Sequence, residues 1–230
     1  MKPFVATVLG MMLSVLALAP VAVAHSLKEL EAELGGREQY FQPIDKDAPQ
    51  FALEDSEGRP VALVDFRGKV LALHFIYTHC PDVCPLHLDR IAEIQSLVDQ
   101  SPMKDQVQFI TITTDPSRDR GNVLIDYGRV HGVDASNWAF LTTNPDQAED
   151  TTRQLAGEFG HTFEKTKDGY QIHGIVTHVI DKEGRWRANF HGLKFEPTNL
   201  VVFMNALVND IAKPHQEPSP TLWQRLKGWF

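Results

Sequence analysis

The apolar positions of this chain fall into blocks whose spacing predicts alternating strands and helices. Residues 70–77 are almost continuously apolar, a pattern typical of a strand that a sheet buries on both faces, and residues 107–113 predict a second buried strand. Between these two blocks, apolar residues recur at helical spacing at Leu86, Ile91, Ile94 and Val98. A helix between two buried strands indicates a parallel pair joined by a helical crossover.

Turn residues mark two hairpins. Residues 50–53 and 60–63 flank a Ser-Glu-Gly turn, and residues 171–180 and 186–190 flank a Lys-Glu-Gly turn. Strand-like runs separated by such turns predict paired antiparallel strands. We therefore expect one hairpin before the first buried strand and another near the end of the chain.

Three further helices and one short strand complete the pattern. Helices are predicted over residues 122–131 and 197–211, and a short strand over residues 138–141. Residues 144–147, Asn-Pro-Asp-Gln, supply an N-cap, a proline for the first helical position and a capping-box glutamine. They predict a helix that continues to residue 159.

This order of elements predicts an α/β, thioredoxin-like domain, with a central mixed sheet flanked by helices and an N-terminal hairpin extension. The domain is predicted to span residues 48–213. Residues 25–47 are predicted to be a leader, made of a short amphipathic helix that the Gly35-Gly36 pair ends and then a polar linker. Residues 214–230 are predicted to be a tail.

The first 24 residues have the pattern of a signal peptide. Lys2 precedes an apolar stretch over residues 4–18, and Pro20 precedes Ala-Val-Ala at residues 22–24. The alternative is an uncleaved anchor, because the apolar stretch from residue 4 to residue 24 approaches the ~20 residues of a membrane span. Pro20 and the small-residue site favour cleavage. In either case the remainder is expected to be periplasmic or otherwise exported, where a disulfide is permitted.

The net charge of the chain limits the classes of partner that it is expected to bind. The formal net charge is −8, and removal of Lys2 with the signal peptide makes it one unit more negative, which argues against nucleic-acid binding. The tail differs from the rest, because residues 221–230 combine Trp and Leu side chains with Arg225 and Lys227. This composition predicts weak contact with a membrane surface. Docking of the same aromatic residues on the domain remains the alternative.

Candidate chemistry is concentrated at Cys80 and Cys84, the two cysteines of the chain. They follow the first buried strand as Cys-x3-Cys, and Pro85 is predicted to be the first residue of the next helix. The amide dipoles at the helix start are expected to lower the pKa of Cys84. The pair could bind a soft metal such as Cu(I) or Zn, cycle between dithiol and disulfide, or staple a loop.

A third metal ligand has to come from elsewhere, and a histidine is the most suitable donor. His173 and His178 are predicted to lie five residues apart in one strand, so that only one of them faces the thiols. The position of His173 at the strand start favours it, whereas His178 shares a face with core residues. His79 adjoins Cys80, but adjacent side chains diverge. The remaining histidines are expected to be core or surface residues, with His74 in the core, His87 solvated on a helix and His161 at the surface.

The segment from Phe75 to Pro85, Phe-Ile-Tyr-Thr-His-Cys-Pro-Asp-Val-Cys-Pro, resembles the metal motif of the Sco/SenC family of copper-binding thioredoxin-fold proteins. The segments 65–70 and 114–119 resemble two further parts of that family. The resemblance covers residues 48–211. It implies that Cys80, Cys84 and a histidine eleven residues before a hairpin glycine bind one copper ion, as Cu(I) or Cu(II).

Counting back from Gly184 gives His173 as this third ligand. The chain departs from the family at Ile172 and in its N-terminal segment, where a cleavable signal is predicted in place of the family's usual uncleaved anchor. Ile172 replaces an aspartate that the family commonly has, and His178 lies where the family usually has an aromatic residue. Because residues around a metal ligand tune its affinity, Ile172 is expected to alter copper affinity or the preference for one oxidation state.

The resemblance also implies a function. It indicates a copper metallochaperone that delivers copper to the binuclear copper site of a respiratory oxidase, with the copper-accepting subunit of a cytochrome c oxidase as partner. The alternative is a thiol-disulfide oxidoreductase that reduces the cysteines of that site, with Cys80 as the attacking thiol and Cys84 as the resolving thiol. A peroxiredoxin-type peroxidase is disfavoured, because the chain lacks the expected Thr and Pro spacing before a single reactive cysteine.

Overall fold

The computed structural model describes residues 26–167 and 169–209. The segments predicted to be a signal peptide and a C-terminal tail lie outside these ranges. In chain order the elements are α1 (Leu27–Arg37), β1 (Phe41–Asp47), β2 (Ala52–Asp55), β3 (Pro60–Ala62), β4 (Val70–Ile76), α2 (Val83–Asp99), β5 (Val107–Thr113), α3 (Asn122–Val130), β6 (Trp138–Thr142), α4 (Thr151–Glu158), β7 (Thr162–Thr166), β8 (Gly169–His173), β9 (Val176–Ile180), β10 (Arg185–His191) and α5 (Pro197–Val208).

Eight strands form one mixed sheet in the order β1-β10-β9-β4-β5-β6-β2-β3. The three strands β4, β5 and β6 run parallel, and the other pairings in this sheet are antiparallel. The predicted α/β fold with a central mixed sheet is confirmed. The predicted N-terminal hairpin is β2-β3, which extends the sheet by pairing with β6.

Strand β4 lies at the centre of this sheet. All seven of its residues are buried, as are all seven of β5, which confirms the prediction of strands covered on both faces. One face packs on a core that includes Ile91 of α2 and Phe203 of α5. The other face packs on a second core that includes Phe159 and Trp186. Strand β4 therefore has a fixed position and carries the segment that follows it.

The start of α2 differs from the prediction. The helix begins at Val83, so Pro85 is its third residue instead of its first. Proline remains tolerated there because the amides of the first helical turn have no partner within the helix. Cys84 therefore lies inside the first turn of α2.

The predicted start of α4 is wrong, although the predicted capping contacts form. The Asn144 amide donates to Gln147 Oε1 at 2.9 Å, and the Asp146 amide donates to Asn144 Oδ1 at 3.0 Å. These bonds close a turn that does not continue as a helix, and α4 begins at Thr151. Gln147 Nε2 also donates to the Ala52 carbonyl at 2.7 Å, which ties the turn to β2.

The segment before residue 48 is only partly as predicted. Helix α1 is present and has a Ser26–Glu29 capping box. The prediction of a polar linker is wrong, because strand β1 follows the helix and pairs antiparallel with β10. Its first residue, Phe41, is buried with its ring 5.3 Å from that of Phe190 and 5.2 Å from that of Phe203. The main sheet thus begins within the segment that was predicted to be a leader.

The strand predicted over residues 171–180 is broken in two. Gly174 has a φ of +82°, a conformation that favours glycine, and it separates β8 from β9. Strand β8 pairs with β7, an element that the sequence did not predict, in a separate two-stranded sheet. His173 and His178 therefore lie in different strands of different sheets, and the argument that placed them on opposite faces of one strand is wrong.

None of the helices in the described ranges is long and apolar enough to cross a bilayer.

The second predicted hairpin is confirmed as β9-β10, joined by a turn that contains Gly184. Helix α5 begins at Pro197 as predicted and ends at Val208.

Histidines that carry no charge are part of the core. The side chain of His74 on β4 is fully buried, and its Nε2 lies 2.9 Å from Thr111 Oγ1 on β5. Burial, and to a lesser extent the nearby His178, lowers the pKa of His74 to about 3. Burial likewise holds the pKa values of His87 and His178 well below the usual range. The fold therefore excludes protons that the unfolded chain accepts.

We expect the free energy of unfolding to fall as the pH is lowered from 6.5 toward about 3, the range between the unfolded and folded pKa values of His74. The unfolded chain binds more protons in this range, so stability rises with pH and is lost in acid. One such group contributes a slope of up to ~1.4 kcal/mol per pH unit. His74→Gln should show a shallower slope in denaturant titrations at several pH values, and equal slopes in the two proteins would contradict this account.

Candidate metal centre

The two cysteines lie together where β4 gives way to α2. Both thiols are free and buried, with 7% of Cys80 and 3% of Cys84 exposed. The backbone amide of Cys84 donates to Cys80 Sγ at 3.4 Å. They form a small cluster with Ile76 and Tyr77, on which Val83 and Tyr127 also pack. The structure thus places both cysteines in one buried, largely apolar cluster just after the end of β4.

The two thiols are not equivalent. Burial favours the neutral form of Cys80, but hydrogen bonds from the Asp82 and Cys84 amides and from the Tyr77 hydroxyl outweigh it and lower the pKa of Cys80. The expectation that the helix start lowers the pKa of Cys84 is wrong, because burial raises that pKa and the neighbouring Cys80 and Asp119 raise it further. Because the thiolate is both the nucleophile and the metal ligand, Cys80 is the more reactive of the pair.

Asp119 holds the cysteine loop in place. Its carboxylate is completely buried, and it accepts hydrogen bonds from the Thr78 amide at 2.9 Å and from Thr113 Oγ1 at 2.6 Å. The Thr78 hydroxyl donates to the same carboxylate. The loop that contains Cys80 is therefore tied to the end of β5.

The role of Asp119 was not predicted, although the residue lies in the segment 114–119 that resembles the family. The order of the strands could have indicated its position. Strands β4 and β5 are parallel, so the residues that follow each of them meet at one edge of the sheet. A carboxylate after β5 is therefore placed next to the loop after β4.

Two tyrosines beside the thiols were also missed. Burial raises the pKa of Tyr77, and its hydrogen bond to Cys80 raises it further, so the hydroxyl stays protonated and donates to the sulfur. The Tyr127 hydroxyl is buried without a hydrogen-bond partner among the described residues. Burial, followed by the nearby Cys84 and Cys80, raises the pKa of Tyr127 as well. Both rings shield the sulfurs from water.

The described histidines lie mostly away from the thiols or are engaged elsewhere. The His79 side chain is 54% exposed, and its Nδ1 lies 3.1 Å from Thr78 Oγ1 and 3.7 Å from Asp119 Oδ1. The expectation that His87 is solvated is wrong, because it is 2% exposed and its Nε2 lies 3.0 Å from Thr177 Oγ1. His161 is likewise buried instead of lying at the surface.

His173 is close in sequence to the start of β9, the strand that pairs with β4. Its imidazole is outside the described part of the structure, but the residue ends β8, three residues before β9 begins. Strand β9 runs antiparallel to β4, with His178 opposite Leu73, so the start of β9 is level with the end of β4. Thr177, the second residue of β9, contacts His87 one helical turn after Cys84.

Among the side chains that the structure describes, no group of three His, Cys, Asp or Glu residues converges on one metal position. Two thiols in one cluster nevertheless form a donor set that suits a soft ion such as Cu(I). The residues present therefore fit copper as a bound ion.

Comparisons with known proteins show what this chain is similar to in sequence and in fold. A family model described as SCO1/SenC matches residues 42–208. The chain is 29% identical over 171 residues to the SCO2-like protein RP587 of Rickettsia prowazekii, an alignment that covers 74% of this chain and 81% of that protein.

Two solved structures show the same fold. BsSco, described as a member of the Sco family of cytochrome c oxidase assembly proteins with a disulfide switch, has a TM-score of 0.64 at 19% identity, covering 73% of this chain and 96% of that chain. Bradyrhizobium japonicum ScoI, solved with copper bound, has a TM-score of 0.55 at 25% identity, covering 70% of this chain and 99% of that chain. Since the family model matches more than half of its length, this chain belongs to the SCO1/SenC family.

Proposed function

We propose that this protein is a copper metallochaperone. It binds one copper ion through the thiolates of Cys80 and Cys84 and the imidazole of His173, and it delivers the ion to the binuclear copper site of a respiratory cytochrome c oxidase. The observation that supports this most is the pair of free, buried thiols in one cluster just after the end of β4. The copper bound to Bradyrhizobium japonicum ScoI supports the choice of metal.

The donor set suits copper in the two oxidation states that a carrier meets. Thiolates are soft ligands that favour Cu(I), and imidazole is accepted by Cu(I) and Cu(II). Amide and hydroxyl donors stabilise the thiolate of Cys80, which is the form of the side chain that binds a metal ion. The raised pKa of Cys84 means that copper has to displace its proton on binding.

Release follows from the small number of ligands. A site with two sulfurs and one nitrogen leaves a coordination position for a donor from the recipient, so copper can move by stepwise ligand exchange. The recipient that we propose is the copper-accepting subunit of a cytochrome c oxidase. We propose that the protein is exported, with residues 1–24 removed, and that residues 221–230 keep it near the membrane by weak surface contact.

The second candidate is a thiol-disulfide oxidoreductase, and the unequal thiols favour it. The Cys80 thiolate would attack a disulfide of the recipient, forming a mixed disulfide and releasing one recipient thiolate. Cys84, after losing its proton, would then attack Cys80 Sγ and release the second thiolate. The recipient is reduced by two electrons, and this protein is oxidised to the Cys80–Cys84 disulfide. Both candidates use the same pair of sulfurs.

The inequality of the thiols can be measured directly. In Cys84→Ser the remaining Cys80 thiol should react with iodoacetamide at a lower pH than the remaining Cys84 thiol in Cys80→Ser, because hydrogen-bond donors lower the pKa of Cys80 and burial raises that of Cys84. The pH at half-maximal alkylation rate is the readout. Equal or reversed midpoints would rule out the assignment of Cys80 as the attacking thiol.

The third ligand is tested by substitution. His173→Ala should weaken copper binding at least ~10-fold, the loss that removal of even a supporting residue causes at metal sites. His79→Ala is the matched control, because its imidazole adjoins Cys80 but lies toward Thr78. Competition titrations of Cu(I) and Cu(II) give the affinities. A loss with His79→Ala and none with His173→Ala would show that the wrong histidine was chosen.

Oxidation should abolish loading. A disulfide between Cys80 and Cys84 removes both thiolates that copper requires. The reduced protein is expected to retain about one copper per chain after dialysis, and the oxidised protein close to none. Metal analysis of the two samples gives the comparison, and equal retention would speak against a site built on two thiolates.

A further inference from the structure

A buried pair of histidines lies at the base of the β7-β8 hairpin. His161 immediately precedes β7, and His178 belongs to β9 of the main sheet. Their Nε2 atoms are 2.9 Å apart, and the two residues are 7% and 0% exposed. A contact this short between ring nitrogens requires a proton on one of them, so it is a hydrogen bond with a defined direction.

Neighbouring contacts fix that direction. Asn189 Oδ1 accepts a hydrogen bond from Trp186 Nε1 at 2.8 Å, and Asn189 Nδ2 donates to Gln42 Oε1 at 3.2 Å. The oxygen therefore faces His178 Nδ1, at 2.7 Å, and this nitrogen must carry the hydrogen. His178 Nε2 is then left with a lone pair, which accepts the proton that His161 Nε2 donates.

The surroundings of the pair are aromatic. The ring of Phe75 lies 5.1 Å from that of His161, and the rings of Phe159 and Trp186 lie 4.7 and 5.1 Å from that of His178. Loss of the His161 imidazole would remove this hydrogen-bond partner of His178 Nε2 in the aromatic environment, and an unsatisfied buried nitrogen is unfavourable. The hydrogen bond is therefore strongly maintained and orients both rings.

The hairpin contacts the rest of the domain near its base, where Phe163 of β7 also packs against the second core. Strands β7 and β8 form a sheet of their own, separate from the eight-stranded sheet. In their register Thr162 lies opposite His173, so the residue next to His161 pairs with the candidate ligand. On the other side of the hairpin base the chain passes through Gly174, at a φ of +82°, before it enters β9.

We propose that the His161–His178 hydrogen bond is a latch that holds the base of the β7-β8 hairpin against the main sheet and thereby positions His173 relative to Cys80 and Cys84. The role given to His173 rests on the function proposed above. His178 is then a positioning residue for the copper site and is itself no ligand. The direction of the bond assigns the donor to His161 and the acceptor to His178.

The test combines amide hydrogen exchange with copper titration on the full mature chain. His178→Phe retains a ring for the contacts with Phe159 and Trp186 but removes the acceptor. His161→Leu removes the donor, and His161→Gln retains an N–H in a similar place. Thr111→Val is the matched control, because it removes a buried hydroxyl bonded to His74 and Trp138 that lies away from the hairpin.

His178→Phe and His161→Leu are each expected to raise amide exchange across residues 163–172 at least tenfold and to weaken copper binding about tenfold, the loss that removal of a supporting residue causes. They should also reduce the nitrogen contribution in X-ray absorption of the copper-loaded protein. His161→Gln should stay within about threefold of the wild type in both measurements, because it restores the donor. Thr111→Val should leave exchange across the hairpin unchanged.

Two results would overturn the proposal. If His178→Phe and Thr111→Val show the same hairpin exchange as the wild type, the latch does not exist. If exchange rises in His178→Phe while copper affinity and the nitrogen contribution remain unchanged, the latch does not position the ligand. Failure of the proposed function would be distinct: the wild type itself would bind no copper, and the exchange data would still decide whether the latch exists.

Discussion

Burial of β4 on both faces is the constraint on which the rest of this structure depends. All seven of its buried residues pair with β5, and Leu71, Ala72 and Leu73 also pair with β9, so its register is fixed from both sides. Residues that follow β4 and β5, and those that precede β9, consequently meet at one edge of the sheet. Strand pairing brings the cysteine loop and Asp119 to that edge, and β9 begins three residues after His173.

At this edge, the surroundings of Cys80 and Cys84 give two chemically identical thiols different pKa values. Cys80 receives amide and hydroxyl donors, whereas Cys84 is buried beside a sulfur and near the Asp119 carboxylate. The loop geometry that produces the difference is held by Thr78 and Thr113 through that same carboxylate. An ion carrier and a thiol reductant both benefit from one sulfur that is ready to react and another that follows it.

Much of the fold could be predicted because its signals are local. The continuous apolar run of β4, the helical spacing in α2 and the turn glycine of the β9-β10 hairpin each specify an element without knowledge of its neighbours. The cysteine pair was found in the same way, since its spacing and its place after a buried strand are visible in the sequence. The mixed sheet and the hairpin at its edge followed from the order of these elements.

What could not be predicted depends on contacts between distant residues. The burial of His87 follows from a hydrogen bond to Thr177, ninety positions away, and that of His161 from a bond to His178 in another sheet. The sequence of β1 is mostly polar, and Phe41 is the one residue of this strand that is buried. Its strand structure depends on pairing with β10, which the sequence of β1 alone does not indicate. Gly174 did carry a signal, since an isolated glycine within a strand pattern indicates a break or bulge.

The central claim is that two sulfurs and one imidazole of this chain hold one copper ion. X-ray absorption of the reduced, copper-loaded mature protein, together with metal analysis, tests it most directly. The account expects one copper per chain with two sulfur neighbours and one nitrogen neighbour from imidazole. A protein that retains no copper after full reduction, or one whose copper has no sulfur neighbours, would contradict it.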